Sequence, residues 1–252
     1  MRIKKLLPGL ILSALLLPCA EDAAGIAEKW ALELEGGAFR VGRADVRIPG
    51  DTGDRFSLKN DLDVDDGSYS RARLLYSPAP RHTLLLTIAP FEAEASGRFA
   101  DDTRFADTVF PADTPIKAYY RFNNYRFTYR YLVKETARFS AELGGTLFVR
   151  DARIKLESAE QSDSNDDLGF VPLVHFRLMY RLHPDWTLLL DGDALASPQG
   201  RALDILAGVE YRINERLQAG LGYRILEGGA DNDTVYTFAL FHHVNAALRW
   251  RF

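Results

Sequence analysis

The final seventeen residues, Tyr236 to Phe252, alternate without a break. Tyr236, Phe238, Leu240, His242, Val244, Ala246, Leu248, Trp250 and Phe252 fall on one side of an extended chain, and Thr237, Ala239, Phe241, His243, Asn245, Ala247, Arg249 and Arg251 on the other. A strand of that length exceeds the roughly 5–6 residues usual in soluble sheets. Its apolar side is long enough to cross a hydrocarbon layer, which takes about 9–11 residues of tilted strand.

Read for the same period, the chain yields ten strands, near residues 29–36, 56–77, 82–96, 116–132, 138–156, 169–182, 186–196, 202–213, 217–227 and 235–252. The count is even, as closure of a single-chain antiparallel barrel requires. Short polar or proline turns join alternate strands at Ser77-Pro78-Ala79-Pro80, Val133-Lys134-Glu135-Thr136, His183-Pro184-Asp185 and Asn214-Glu215. The intervening links, Gly36 to Lys59, Ser96 to Thr114, Leu156 to Leu168, Ser197 to Arg201 and Glu227 to Thr234, are mostly longer. Short turns at one end and long loops at the other are the asymmetry of a barrel spanning a membrane with both termini on one side. Two places strain the pattern. Apolar parity moves at Gly36-Gly37, from Trp30, Leu32 and Leu34 to Phe39 and Val41, which predicts a bulge. The strand at 56–77 keeps one parity only if Asn60, Gly67 and Ser68 leave it intact, and a break near Asp66-Gly67 turns its outer half into a loop hairpin.

A test independent of the turns is the aromatic residue nearest each short-turn end. Trp30, Tyr76, Tyr131, Phe139, Tyr180, Trp186, Tyr211, Trp250 and Phe252 all lie there and share the parity of their strand's apolar residues, as an interfacial girdle requires. A soluble lipocalin-like barrel or periplasmic sandwich buries that face and has no use for such a belt.

At the amino terminus, Arg2, Lys4 and Lys5 precede an apolar run from Leu6 to Leu17 and small residues around Ala20, Ala23 and Ala24, the pattern of a secretory signal peptide. The run is shorter than the roughly 20 residues of a spanning helix. The expected division is residues 1–24 as signal peptide and 25–252 as barrel. Cys19, the only cysteine, falls within the signal, so the secreted chain carries no thiol into an oxidising compartment. A net charge of -4, with the charges dispersed, speaks against nucleic acid as partner. The mean hydropathy of -0.17 is what two alternating faces average to.

With the apolar side toward lipid, the other side lines a lumen. It carries Arg71, Arg73, Arg126, Arg130, Glu142, His175, Arg177, Asp191, Asp193, Asp204 and Arg224, together with Glu33, Asn124, Glu210, His243, Asn245 and Arg249. Side chains nearly fill so narrow a barrel, and a charge isolated there is costly, so these residues predict an ion-paired plug. A turn centred on Pro184 sets His175 opposite Asp193 and Arg177 opposite Asp191, about 5 Å apart. The turns at Glu135 and Glu215 bring Arg130 near Glu142 and Asp204 near Arg224. Gly144, Gly208, Gly220 and Gly222 face the same way and either carve a small cavity or relieve crowding. The same charges could line a polar conduit. They could also form a hydrolytic site in which His175, Asp191, Asp193 and Asp204 meet near the outer rim and activate water.

Asp61, Asp63, Asp65, Asp66 and Gly67 look like the opening of a calcium loop. An EF-hand needs Gly where Asp66 stands and Glu where Ala72 stands. The stretch therefore reads as a solvated acidic strand end, suited to bridging divalent ions to lipopolysaccharide. His242-His243 splits across the two faces and cannot chelate one metal. No phosphate-cradling loop, metal-spaced His/Cys cluster or Gly-x-Ser-x-Gly elbow occurs, so neither metal nor cofactor is expected.

Architecture, signal peptide and the Trp250 to Phe252 terminus make the chain resemble the small outer-membrane β-barrels of Gram-negative bacteria, the broad group of OmpX-like, OmpW-like and opacity-type proteins. The resemblance implies an all-β, closed antiparallel transmembrane barrel in the cell outer membrane. It also implies assembly by the insertion machinery that reads the last strand, with outer-membrane lipids and lipopolysaccharide as partners. It implies no single activity. Ten strands with rim-mounted Asp and His are similar, in strand count and residue type alone, to the omptin proteases. The functional expectation is a non-enzymatic integral barrel with an ion-paired lumen and surface loops in structural or interaction roles. A narrow passive channel and a rim-located hydrolase are the alternatives.

Overall fold

Inside a hydrocarbon layer a backbone amide finds no partner but another backbone group, so a membrane-crossing sheet has to close on itself. The computed structural model, which describes residues 29–252 apart from residue 199, shows that closure. The signal peptide assigned to residues 1–24 lies outside the described residues. Strand β1 (Trp30–Arg47) pairs with the last strand, β15 (Tyr236–Arg251), from Ala31 opposite Arg251 to Arg47 opposite Tyr236. Between them the wall runs β4 (Gly67–Tyr76), β5 (His82–Ala89) continued by β6 (Glu92–Arg98), β9 (Pro115–Glu135), β10 (Phe139–Glu157), β11 (Ser162–His183), β12 (Trp186–Ser197), β13 (Gly200–Arg212) and β14 (Leu217–Asp231). All neighbours are antiparallel, and the wall has ten strands. Four short strands, β2 (Phe56–Ser57), β3 (Leu62–Val64), β7 (Thr103–Phe105) and β8 (Thr108–Phe110), sit at the outer end, away from the termini.

Several strand boundaries differ from those read in the sequence. The stretch 56–77 is not one strand: β2 pairs with β1, β3 pairs with β6, and β4 begins at Gly67. Residues 82–96 divide at Pro90, which has no amide hydrogen to give to a ladder, yet β5 and β6 both pair with β9. No bulge occurs at Gly36-Gly37, where β1 stays in register with both neighbours, and the shift lies instead between Val41 and Arg43. Phe39 and Val41 break the expected parity because they face inward. The links expected at 36–59, 156–168 and 227–234 are largely strand, so the wall rises well beyond the apolar band.

Above that band the two faces exchange character. On β9 the outward residues Val133, Tyr131, Tyr129, Phe127 and Tyr125 give way to Asn123, Arg121, Tyr119 and Lys117, while the inward series passes from Arg130, Thr128, Arg126 and Asn124 to Phe122, Tyr120, Ala118 and Ile116. Strand β10 inverts at the matching height: Val149 faces Tyr125 in the last outward apolar pair, and Asp151 faces Asn123 in the first polar one. The cause is the surrounding solvent. Where acyl chains touch the wall the apolar side points out, and where water does, it points in.

The inward apolar residues of the outer half form one cluster. Phe91 packs against Phe39 and Phe241 in tilted and edge-to-face contacts with centroid distances of 4.6 and 4.5 Å. The segment from 96 to 114 folds into the mouth as the β7–β8 hairpin and buries Phe99, Phe105 and Phe110, the last two at 0% exposure. A backbone bond from Ala106 N to Ile48 O (2.8 Å) and a side-chain bond from Gln161 Nε2 to Val109 O (2.7 Å) hold this cap to the rim. Replacement of Phe105 by alanine is expected to cost about 3–5 kcal/mol, read as a lowered midpoint in urea unfolding of the refolded barrel.

Candidate functional site

The short turns place alternate residues of neighbouring strands face to face across the inner wall. The hairpin at Pro184 pairs His175 with Asp193 and Arg177 with Asp191 in register, at 2.9 and 3.0 Å between side chains. Arg130 reaches Glu142 diagonally at 2.5 Å, and Arg224 reaches Asp204 diagonally at 2.5 Å. Close approach of strands makes room for this. A Cβ on Gly144 would lie 1.9 Å from the Tyr129 carbonyl oxygen, so no larger residue fits there. Gly208, Gly220 and Gly222 leave a gap of about 20 Å³ beside Arg177, room for one water.

The pairs join across the lumen. Asp204 of β13 accepts from Arg224 of β14 and from Arg71 of β4 (2.9 Å), and Arg126 of β9 forms an ion pair with it at 2.7 Å. Arg224 also forks onto Glu35 at 3.0 and 2.7 Å, and Tyr69 donates to the same carboxylate at 2.6 Å. Arg73 of β4 bonds Glu33 at 3.1 Å and lies 3.6 Å from Asp191 of β12, on the facing wall. Arg177 and Arg249 share Glu210. Arg71, Arg73, Arg126, Arg130, Arg177, Arg224 and Arg249 thus meet Glu33, Glu35, Glu142, Asp191, Asp193, Asp204 and Glu210 in a set without net charge. Low dielectric strengthens each contact, and balance removes the penalty of an unpaired charge.

Sequence reasoning missed Glu35, although it lies within the strand read at 29–36 and shares the inward parity of Glu33. Thr128 and Thr146 were missed as well. Thr146 donates to Asp193 at 2.6 Å and meets Thr128 at 2.7 Å. His175, Asp191, Asp193 and Asp204 do not lie at the outer rim. They are buried beneath the apolar cluster, and Arg126, Thr146 and His175 tie Asp193 into the ion-paired network.

The outward aromatics Trp30, Tyr76, Tyr131, Phe139, Tyr180, Trp186, Tyr211, Trp250 and Phe252 lie beside the short turns. Trp30 stacks on Tyr76 at 4.4 Å and Trp186 lies 4.7 Å from Tyr211, each pair being opposite in register. In the acidic stretch Asp61 accepts the Ser57 amide at 2.7 Å and Asp66 pairs with Arg40. Among the described residues no group of three or more His, Cys, Asp or Glu side chains could hold a metal ion. His242 points outward to Tyr223, while His243 points inward against Tyr69.

No family model matches the chain, and no curated protein matches its sequence. Among solved structures the fold is similar to that of the outer membrane protease OmpT from Escherichia coli, at 9% identity and a TM-score of 0.56 over 90% of this chain and 97% of that one. Weaker likenesses reach Ail, the attachment invasion locus protein of Yersinia pestis (11%, TM-score 0.37, 88% and 99%), and an outer membrane channel from Pseudomonas putida F1 (9%, TM-score 0.44, 89% and 96%). At such identities the likeness is one of fold. The closed ten-strand wall and its outward apolar band make this chain a Gram-negative outer-membrane β-barrel, and the cell outer membrane is where that band meets acyl chains.

Asp204→Asn leaves Arg71, Arg126 and Arg224 short of the carboxylate they share, with an expected loss of about 3–5 kcal/mol. Asp66→Asn, at the exposed pair with Arg40, is expected to cost less than about 1 kcal/mol. Equilibrium urea unfolding of the two variants in detergent micelles checks the contrast.

Proposed function

We propose that the protein is a closed, non-conducting barrel whose role is structural or one of interaction at the cell surface. The observation that carries this reading is Asp204, where arginines from three separate wall strands converge on one carboxylate inside the lumen. The aromatic cluster and the β7–β8 cap lie above it. A hydrated path for ions would require both to open. The likeness to a protease lends no catalytic argument, since at 9% identity it is a likeness of fold alone.

Lipopolysaccharide is the partner that the outer wall suits. Just above the outward apolar band, Arg43 and Arg201 lie over the Phe238 ring at 5.3 and 5.2 Å, and Arg47 and Arg55 over the Tyr236 ring at 5.2 and 4.7 Å. Asp45 and Glu227 pair with Arg43, Arg55 and Arg201 but leave the group in cationic excess. Guanidinium groups held on aromatic faces are preorganised to fork onto phosphates.

The refolded barrel in a planar bilayer is expected to pass no steady ion current, and steady current would transfer the reading to a narrow passive channel. Arg43→Gln with Arg47→Gln is expected to weaken binding of phosphorylated lipopolysaccharide and leave the dephosphorylated form unaffected, as measured by titration of the folded protein.

A further inference from the structure

The seam between β11 and β12 stops short of the top of the wall. Its last paired residues are Val174 and Ala194. Beyond them β11 runs on from Leu173 to Ser162 held by β10 alone, and β12 runs from Leu195 to Ser197 held by β13 alone. Pro172, which has no amide hydrogen to offer a neighbour, sits in the freed stretch, as proline does at sheet edges. The wall therefore has a slot on this side.

Behind the slot lies a cavity of about 220 Å³. Val171 and Leu173 line it from one bank and Leu195 from the other, with Phe148 and Leu226 on further walls and the Arg150–Asp167 ion pair above them. Leu195 points inward yet stays 36% exposed. The floor is Arg126 with Asp204, the top of the ion-paired plug, so the cavity is blind toward the periplasm. Its depth in the membrane follows from the outward face of β11. Phe170, 66% exposed and opposite Val149 in register, lies beside the slot within the apolar band, so the lower part of the opening faces outer-leaflet acyl chains. Arg153 and Arg201, paired with Asp166 and Glu227, line the upper edge.

We propose that this cavity binds a single alkyl chain of an outer-leaflet amphiphile, which passes sideways through the β11–β12 slot and leaves its polar head beside Arg153 and Arg201. The walls are apolar where the chain lies, and guanidinium donors stand where the head lies. The cavity is smaller than the ~300–1,000 Å³ of sites for drug-sized ligands, which admits one short chain and excludes a whole lipid. The inference goes beyond a closed barrel and uses the plug only as a floor. Ion current reports on the plug, whereas labelling reports on the cavity, so failure of one is distinguishable from failure of the other.

The test uses the folded barrel in lipid nanodiscs and a medium-chain fatty acid bearing a terminal diazirine. Irradiation is expected to label Phe148, Leu173 and Leu195, located by peptide mass spectrometry, and excess unlabelled acid should suppress those adducts. A parallel arm with the diazirine on a lysophospholipid chain distinguishes a membrane lipid from a free acid as the source. Leu195→Trp fills the cavity from its mouth without touching the plug. It should abolish the inward adducts and spare those on Phe170, with heat-resistant electrophoretic migration reporting a folded barrel. Should that variant not fold, Ala202→Leu closes the cavity from the β13 bank. Adducts confined to outward residues in both arms, or inward adducts indifferent to these substitutions, would overturn the proposal.

Discussion

Charge balance inside a narrow wall is the constraint on which the rest of this barrel depends. Bulk water cannot solvate the guanidinium and carboxylate groups between Glu33 and Arg249, so each must face its opposite. That requirement reaches the backbone. A slip of one residue in any hairpin would turn its inner set of side chains out to acyl chains and bring its apolar set in. The pairing of Arg177 with Asp191, the convergence on Asp204 and the closure of β1 on β15 are therefore three expressions of one register.

The parts of this arrangement that depend on neighbouring strands were readable in the chain. Period two located the wall strands, short turns located their partners, and a turn at Pro184 is enough to oppose His175 to Asp193. Pairs across the lumen were not readable, because Arg71 and Asp204 are separated by a barrel diameter whose filling no local pattern specifies. The outer half misled for a different reason. Parity reports which side of a strand is apolar, not which solvent lies outside, so Phe39 and Val41 looked like a bulge when they mark the passage from lipid to water. The hairpin with Phe105 and Phe110 had no periodicity to show, since three-residue strands carry almost none.

Two fillings of different chemistry thus occupy one tube. The inner one is ionic and directional, and it holds the strands in register. The outer one is apolar and packed like a soluble core, with the β7–β8 cap as its lid. Their junction, at Phe148, Arg126 and Asp204, is where the blind cavity lies. A rigid floor beneath an unfilled space beside a gap in the wall makes a pocket, whereas a continuous filling would have made only a pillar.

The exchange of faces above the membrane also orders the birth of the molecule. Lys117, Arg121, Asp151 and Arg153 must traverse the bilayer before they can reach the medium, and while they do so Ile116, Ile154 and Leu156 have no settled interior to occupy. The upper storey can therefore condense only after the strands have emerged. Its aromatic cluster can pack only where external water supplies the drive to bury it.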